Sequence, residues 1–202
     1  MGYTLKKWVE RVRNRTDMSA YVTHLTREQD GRKSIQNLIK ILEERKIIGS
    51  NNKGFICGEN RATCFQDVPM YSLGQNTLHE QENRKELGGK VRYKLMGLAF
   101  DKRYVYMRGG RPVIYENSNI AKKFIDKEEW WRIVSFDLSD KENIIDWTHE
   151  REWRVKGDFE FELKNTYVIL VNHKMYRQFM ELASEEIKNE IKGIIVLQPV
   201  LT

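Results

Sequence analysis

From Gly54 to Phe136 the chain is cut into short β-branched and aromatic runs by polar turns, and segments with helical spacing flank this block on both sides. The runs are GFIC (54–57), ATCF (62–65), VRYKLMGLAF (91–100), YVYM (104–107), PVIY (112–115) and WWRIVSF (130–136), and each reads as a strand. EWRV (152–155), TYVILV (166–171) and a closing GIIVL (193–197) continue the pattern, the last as a buried strand. So many strands must share a sheet, and the flanking helices must cover it. The expected class is therefore α+β: one domain over 1–202, with a strongly bent or split mixed sheet and peripheral helices.

The helical segments are read from spacing. Leu5, Trp8, Val9 and Val12 make one face of an amphipathic helix within residues 1–17, opposite Lys6, Lys7, Arg11 and Arg13. AYVTHLT (20–26) is a strand. The polar loop TREQDGRK follows, and then a helix with Ile35, Leu38, Ile39 and Leu42 on one stripe, Ser34 as its cap and Gly49 at its exit. NIAKKFI (119–125) is a short helix, and 174–191 a long one carrying Tyr176, Phe179, Met180, Ala183, Ile187 and Ile191. The stretch 74–90, GQNTLHEQENRKELGGK, is polar, ends in paired glycines and is expected as a loop or lid.

Composition constrains function only loosely. The net charge of +6 permits contact with nucleic acid, but 29 acidic residues are mixed among 35 basic ones. Two cysteines, Cys57 and Cys64, stand outside any CxxC or His/Cys cluster, so buried free thiols are expected and no metal site. No apolar run reaches the roughly 18 residues of a membrane helix, and the first residues lack a signal-peptide core, which points to a cytoplasmic protein with no membrane partner. GxxxxGK[ST], GxGxxG after a strand, GxSxG and HExxH are all missing, so any chemistry rests on scattered residues.

The stretch WTHEREWRV (147–155) is the main candidate. Read as a strand, it sends Glu150 and Glu152 to one face and Trp153 and Val155 to the other, with Trp147 as a further core anchor. Two carboxylates on one face suit either a cleft wall or a solvated surface neutralised by Arg151 and Arg154. His24, flanked by Thr23 and Thr26, is either a structural strand histidine or a ligand contact. In GGRPVIY (109–115) Arg111 could hold phosphate and Tyr115 ends the strand; the bland reading is a hairpin turn and an edge strand that tolerates Pro112. Arg61, before ATCFQDVP, faces either phosphate or water.

HLT on an early strand, the helix SIQNLIKIL, the strand ATCFQDVP and the late EREWRV followed by TYVILV stand in an order that resembles the ADP-ribosyltransferase-like fold. The resemblance is to DarT-type toxins and AbiGi-type abortive-infection proteins, and it covers about residues 20–172. It implies an enzyme that breaks the nicotinamide–ribose bond of NAD and passes ADP-ribose to a nucleic-acid or protein acceptor, in phage defence or as one half of a toxin–antitoxin pair. By that resemblance Glu152 is the catalytic glutamate and Glu150 holds the acceptor, while His24, Thr26 and Asn37 contact NAD. Arg61, Tyr104 and Tyr115 are the remaining candidate cofactor contacts. The chain departs from the family pattern in its longer connection from His24 to Asn37 and in the missing counterpart of the catalytic arginine. The competing expectation is a non-catalytic module that binds a nucleotide or a partner, as an antitoxin or immunity protein would.

Overall fold

The computed structural model describes residues 2–52, 54–83, 85 and 94–201. They form an α+β domain around a seven-stranded mixed sheet. In chain order the strands are β1 (Tyr21–Leu25), β2 (Lys46–Ile47), β3 (Ala62–Gln66), β4 (Gly97–Asp101), β5 (Arg111–Pro112), β6 (Ile114–Tyr115), β7 (Ile133–Val134), β8 (Glu152–Lys156), β9 (Phe159–Glu160), β10 (Thr166–Leu170) and β11 (Gly193–Val196). The helices are α1 (Leu5–Arg13), α2 (Ser34–Glu44), α3 (Met70–Glu82), α4 (Lys102–Met107), α5 (Ser118–Ala121), α6 (His173–Leu182), α7 (Glu185–Glu190) and α8 (Gln198–Leu201).

The main sheet runs β11-β10-β4-β1-β3-β8-β5; β2 pairs with β9, and β6 with β7. Only β10–β11 is parallel within the main sheet. Alternation divides the side chains between two layers. Val22, Phe65, Leu98, Phe100, Val155, Val168 and Leu170 face α2, α6 and α7 and form the larger core. Ala99 and Ile169 point the other way, where Leu73 of α3 and Leu197 complete a second cluster. Ile56, Ala62 and Trp131 make a third, small cluster beside Cys64.

The sheet is continuous, and its shortest pairing lies between β1 and β3. A single registered pair, Thr23 with Gln66, joins them. One residue on, the His24 ring enters the seam, and its Nδ1 lies 2.9 Å from the Cys64 carbonyl. A carbonyl can only accept, so Nδ1 carries the proton. On the opposite edge of β1 the approach is close: a Cβ on Gly97 would run into the His24 carbonyl.

Several local expectations fail for identifiable reasons. The first half of the 74–90 stretch is not a loop: α3 runs through Glu82, Asn83 and Lys85 are in turns, and residues 84 and 86–90 lie outside the described residues. The buried side of α3 is Leu73, Gly74 and Thr77, and with Leu73 its one large apolar member there is little apolar periodicity to read. YVYM is helical because the Asp101 carboxylate caps the backbone N–H groups of Arg103 and Tyr104. GFIC forms turns, and WWRIVSF is a 3-10 turn over Lys127–Arg132 with only Ile133–Val134 extended. VRYKLMGLAF is a strand only from Gly97; residues 91–93 lie outside the described residues.

The long helix 174–191 breaks at Ala183, where Ser184 caps α7 through its hydroxyl. β11 is an edge strand with half-buried residues rather than a buried one. On α2 the cap is Lys33, whose N–H donates to Gln36, while the Ser34 hydroxyl is buried without a partner. That helix ends at Arg45 in the left-handed region, four residues before Gly49.

Candidate functional site

The segment 147–155 is not one strand. Thr148–Glu150 is a 3-10 turn, Arg151 adopts φ 46°, and β8 starts at Glu152. The strand argument that placed Glu150 and Glu152 on one face therefore fails. The left-handed Arg151 separates the turn that carries Glu150 from the strand that carries Glu152, and the charges of both carboxylates act on the Tyr115 hydroxyl and the Cys64 thiol. Burial, with these charges adding to it, pushes Tyr115 up to about 12 and Cys64 well above the ordinary thiol range. Both groups hold their protons at neutral pH.

Within β8 alternation holds. Trp153 and Val155 join the larger core, and Glu152 and Arg154 lie on the opposite face. Arg154 is 1% exposed, and its guanidinium is fully engaged. Nε and Nη2 grip the Glu152 carboxylate at 2.8 and 3.2 Å; Nη1 donates to the carbonyls of Trp131 and Ile133, and Nη2 also reaches that of Phe55. Burial opposes the Arg154 charge, yet Glu152 and the Cys64 thiol hold its pKa above the ordinary value. Two carboxylate oxygens gripped once each still have lone pairs to offer.

Two neighbours complete the cluster. The Glu152 N–H donates to the Tyr115 hydroxyl oxygen at 2.7 Å, and the Val113 N–H donates to the Glu152 carbonyl. Across β3, Cys64 pairs with Arg154 and Gln66 with Glu152, so Cys64 and Gln66 share the face of the ion pair. Gln66 is 6% exposed and its Oε1 has no hydrogen-bond partner; the indole N–H of Trp131 is likewise buried and unpartnered.

A cleft of about 350 Å³ opens between α3 and the 144–149 segment, lined by Asn76, His79, Glu80, Asp146, Trp147 and His149. It is of the size that small-molecule sites occupy. Trp147 is not a core anchor: it is half-buried, at the cleft wall, with its ring 6.3 Å from that of Phe55. The Phe55 carbonyl in turn holds Arg154, so the wall and the ion pair are physically linked.

The other anticipated contacts are elsewhere. His24 pairs with Leu98 on β4, and its ring packs edge-on against Phe65, on the larger core's face and opposite to Glu152. Burial, with Arg27 assisting, lowers its pKa against the pull of the Cys64 bond. Thr26 is buried and donates to the Met96 carbonyl. Asn37 clamps the 27–33 loop, donating to the Arg27 carbonyl and accepting from Arg32. Arg61 holds the Gly49 carbonyl with two N–H groups.

Tyr104 sits on α4, parallel to Phe100, and its hydroxyl accepts from the Glu162 N–H. Arg111 donates to the carbonyls of Tyr106 and Gly110 and its guanidinium lies over the Tyr106 ring. Of the six anticipated cofactor contacts, Tyr115 alone adjoins the carboxylates. Gln66, Cys64 and Arg154 were legible only as strand residues, because their convergence depends on cross-strand register. No known protein family, curated protein or solved structure matches the chain.

Proposed function

We propose that the chain is an NAD-consuming ADP-ribosyltransferase with its chemistry at the amino-terminal end of β8, serving phage defence or a toxin–antitoxin pair. What supports the reading is a buried carboxylate at the start of β8, Glu152, held in one orientation by Arg154, with its backbone N–H on the Tyr115 hydroxyl. Cleavage of the nicotinamide–ribose bond builds positive charge on the sugar, and a fixed carboxylate lowers the barrier by opposing that charge. Arg154 fixes Glu152 in one orientation, with lone pairs left for a ribose hydroxyl. Glu150, half-buried at the end of the turn, takes the acceptor's proton. The Trp147 cleft offers an aromatic wall to the departing ring. His24, on the far face, has no part in this version of the site.

The test is nicotinamide release from NAD by the purified protein, alone and with nucleic acid or cell lysate, for wild type, Glu150→Gln and Tyr115→Phe. Release by wild type that Glu150→Gln abolishes supports the reading; wild type as inert as the variant rejects it. A second reading has its own support: a guanidinium with every N–H engaged on Glu152 and three carbonyls is also how a purely structural pair is built. Under that reading the cleft binds a nucleotide or a partner without turnover. Calorimetry showing NAD bound and recovered intact would select it.

A further inference from the structure

A large apolar side chain standing alone on a surface needs no explanation, whereas several grouped together within a polar rim mark a contact. The chain has two such groups, of opposite charge. On α4 and the turn after it, Met107 is 75% exposed and Tyr106 is exposed beside it, among Arg103, Arg108 and Arg111. The Arg108 guanidinium lies 3.8 Å from the Tyr104 ring centre, and that of Arg111 lies 4.1 Å from the ring centre of Tyr106. Stacking thus holds both charges in place. None of the three arginines meets a carboxylate within ion-pairing distance among the described residues.

The 137–146 segment is the counterpart. Leu138 and Ile144 are exposed there, and Asp137, Asp140, Glu142 and Asp146 stand against a single base, Lys141. Neither Asp140 nor Glu142 is ion-paired among the described residues. The segment holds its own shape: Asp137 bridges to Ile145 and accepts from Ser139, and Asp140 accepts from the Glu142 N–H. Both surfaces are therefore preformed, and bringing them together costs little ordering.

We infer that these two surfaces dock on each other between two copies of the chain, the α4 arginines on the 137–146 carboxylates and Met107 against Leu138 and Ile144. Every copy carries both surfaces, so a two-fold pair uses each contact twice. Nucleic acid suits the α4 surface less well. Asp158 and Glu160 border the hollow that Arg108 lines, and they repel a backbone that is charged throughout its length. Ile144 also lines the Trp147 cleft, so the docked copy stands at the cleft's rim.

The experiment is sedimentation of the full chain over a range of concentration and salt. Wild type should self-associate at low salt and dissociate as salt is raised, because exposed charges are screened. Arg103→Glu with Arg108→Glu should weaken association roughly tenfold or more, and so should Asp140→Lys with Glu142→Lys. Mixed together, these two variants should associate again, since each supplies the charge that the other has reversed. Met107→Ser, which alters no charge at an exposed position, should weaken association as well. A wild type that stays monomeric throughout overturns the inference, as does a mixture that fails to associate or a dimer indifferent to all of these substitutions. A monomeric wild type that binds a labelled single-stranded oligonucleotide through the α4 arginines assigns that surface to nucleic acid and overturns it too.

Discussion

Removing the Glu152 carboxylate strands the Arg154 charge in the interior. Arg154 is 1% exposed, and among the described residues its only ionic hydrogen bonds run to Glu152. Breaking a buried pair by deleting one partner costs about 3–5 kcal/mol. For a domain of this size each kcal/mol is worth about 2–4 °C, so Glu152→Ala should melt about 6–20 °C below wild type. Arg154→Met should cost at least as much, because the Trp131 and Ile133 carbonyls lose their donor as well. Glu152→Ala combined with Arg154→Met removes both charges and should recover part of the loss, leaving chiefly the carbonyl term.

Urea unfolding of the four proteins at pH 7, followed by tryptophan fluorescence, yields the cycle. Lys156→Ala is the control: its ion pair with Glu128 is exposed at both ends and should leave the midpoint unchanged. A Glu152→Ala protein within 1 kcal/mol of wild type, about the size of a surface effect, would show that Arg154 is not confined as its geometry implies.

Three further perturbations test other links. The depressed His24 pKa means the folded chain resists protonating that ring, so its contribution is intact above the unfolded value near 6.5 and is lost as pH falls through the folded value; unfolding midpoints from pH 8 to 5 should drop more for wild type than for His24→Asn, whose amide keeps the donor to Cys64. Gly97→Ala drives a Cβ into the His24 carbonyl and should cost about 1–3 kcal/mol in a denaturant melt, against the usual gain from replacing a strand glycine. Tyr115→Phe removes the acceptor of the Glu152 N–H and should cost about 1–3 kcal/mol, and it should delete a phenol that ionises toward pH 12 in an ultraviolet titration.

What the sequence revealed was what local patterning determines. The stripe Ile35, Leu38, Ile39 and Leu42 is on α2 and in the larger core, and the strands at HLT, ATCF, EWRV and TYVIL are present. Failures came where one polar group outweighs the pattern of its neighbours: Asp101 turns YVYM into α4, and Ser184 restarts a helix after Ala183. The site divided in the same way. Tyr115 and the two glutamates could be named as candidates, whereas Gln66, Cys64 and Arg154 gain their meaning from the register between β3 and β8. His24 was recognised as unusual, but its role in the β1–β3 seam depends on which carbonyl lies beside it.

The two glutamates ask for different experiments because the chain delivers them differently. Glu152 reaches the cluster as a strand residue whose orientation is forced by Arg154, so its loss is first a stability event and any activity change is read through that loss. Glu150 reaches the cluster through a turn, and the left-handed Arg151 after it carries a backbone cost that a straight strand would avoid. A strand running through the whole segment would place both carboxylates on one face of the sheet, at strand spacing and at fixed height. Glu150 instead ends the 3-10 turn that follows Trp147, one residue after His149 of the cleft wall, and Glu152 opens the strand. On the proposed chemistry the two substitutions separate: Glu152→Gln is read through the loss of its Arg154 pair, whereas Glu150→Gln, at a half-buried turn residue, is read against its own urea midpoint before any change in nicotinamide release is assigned to the carboxylate.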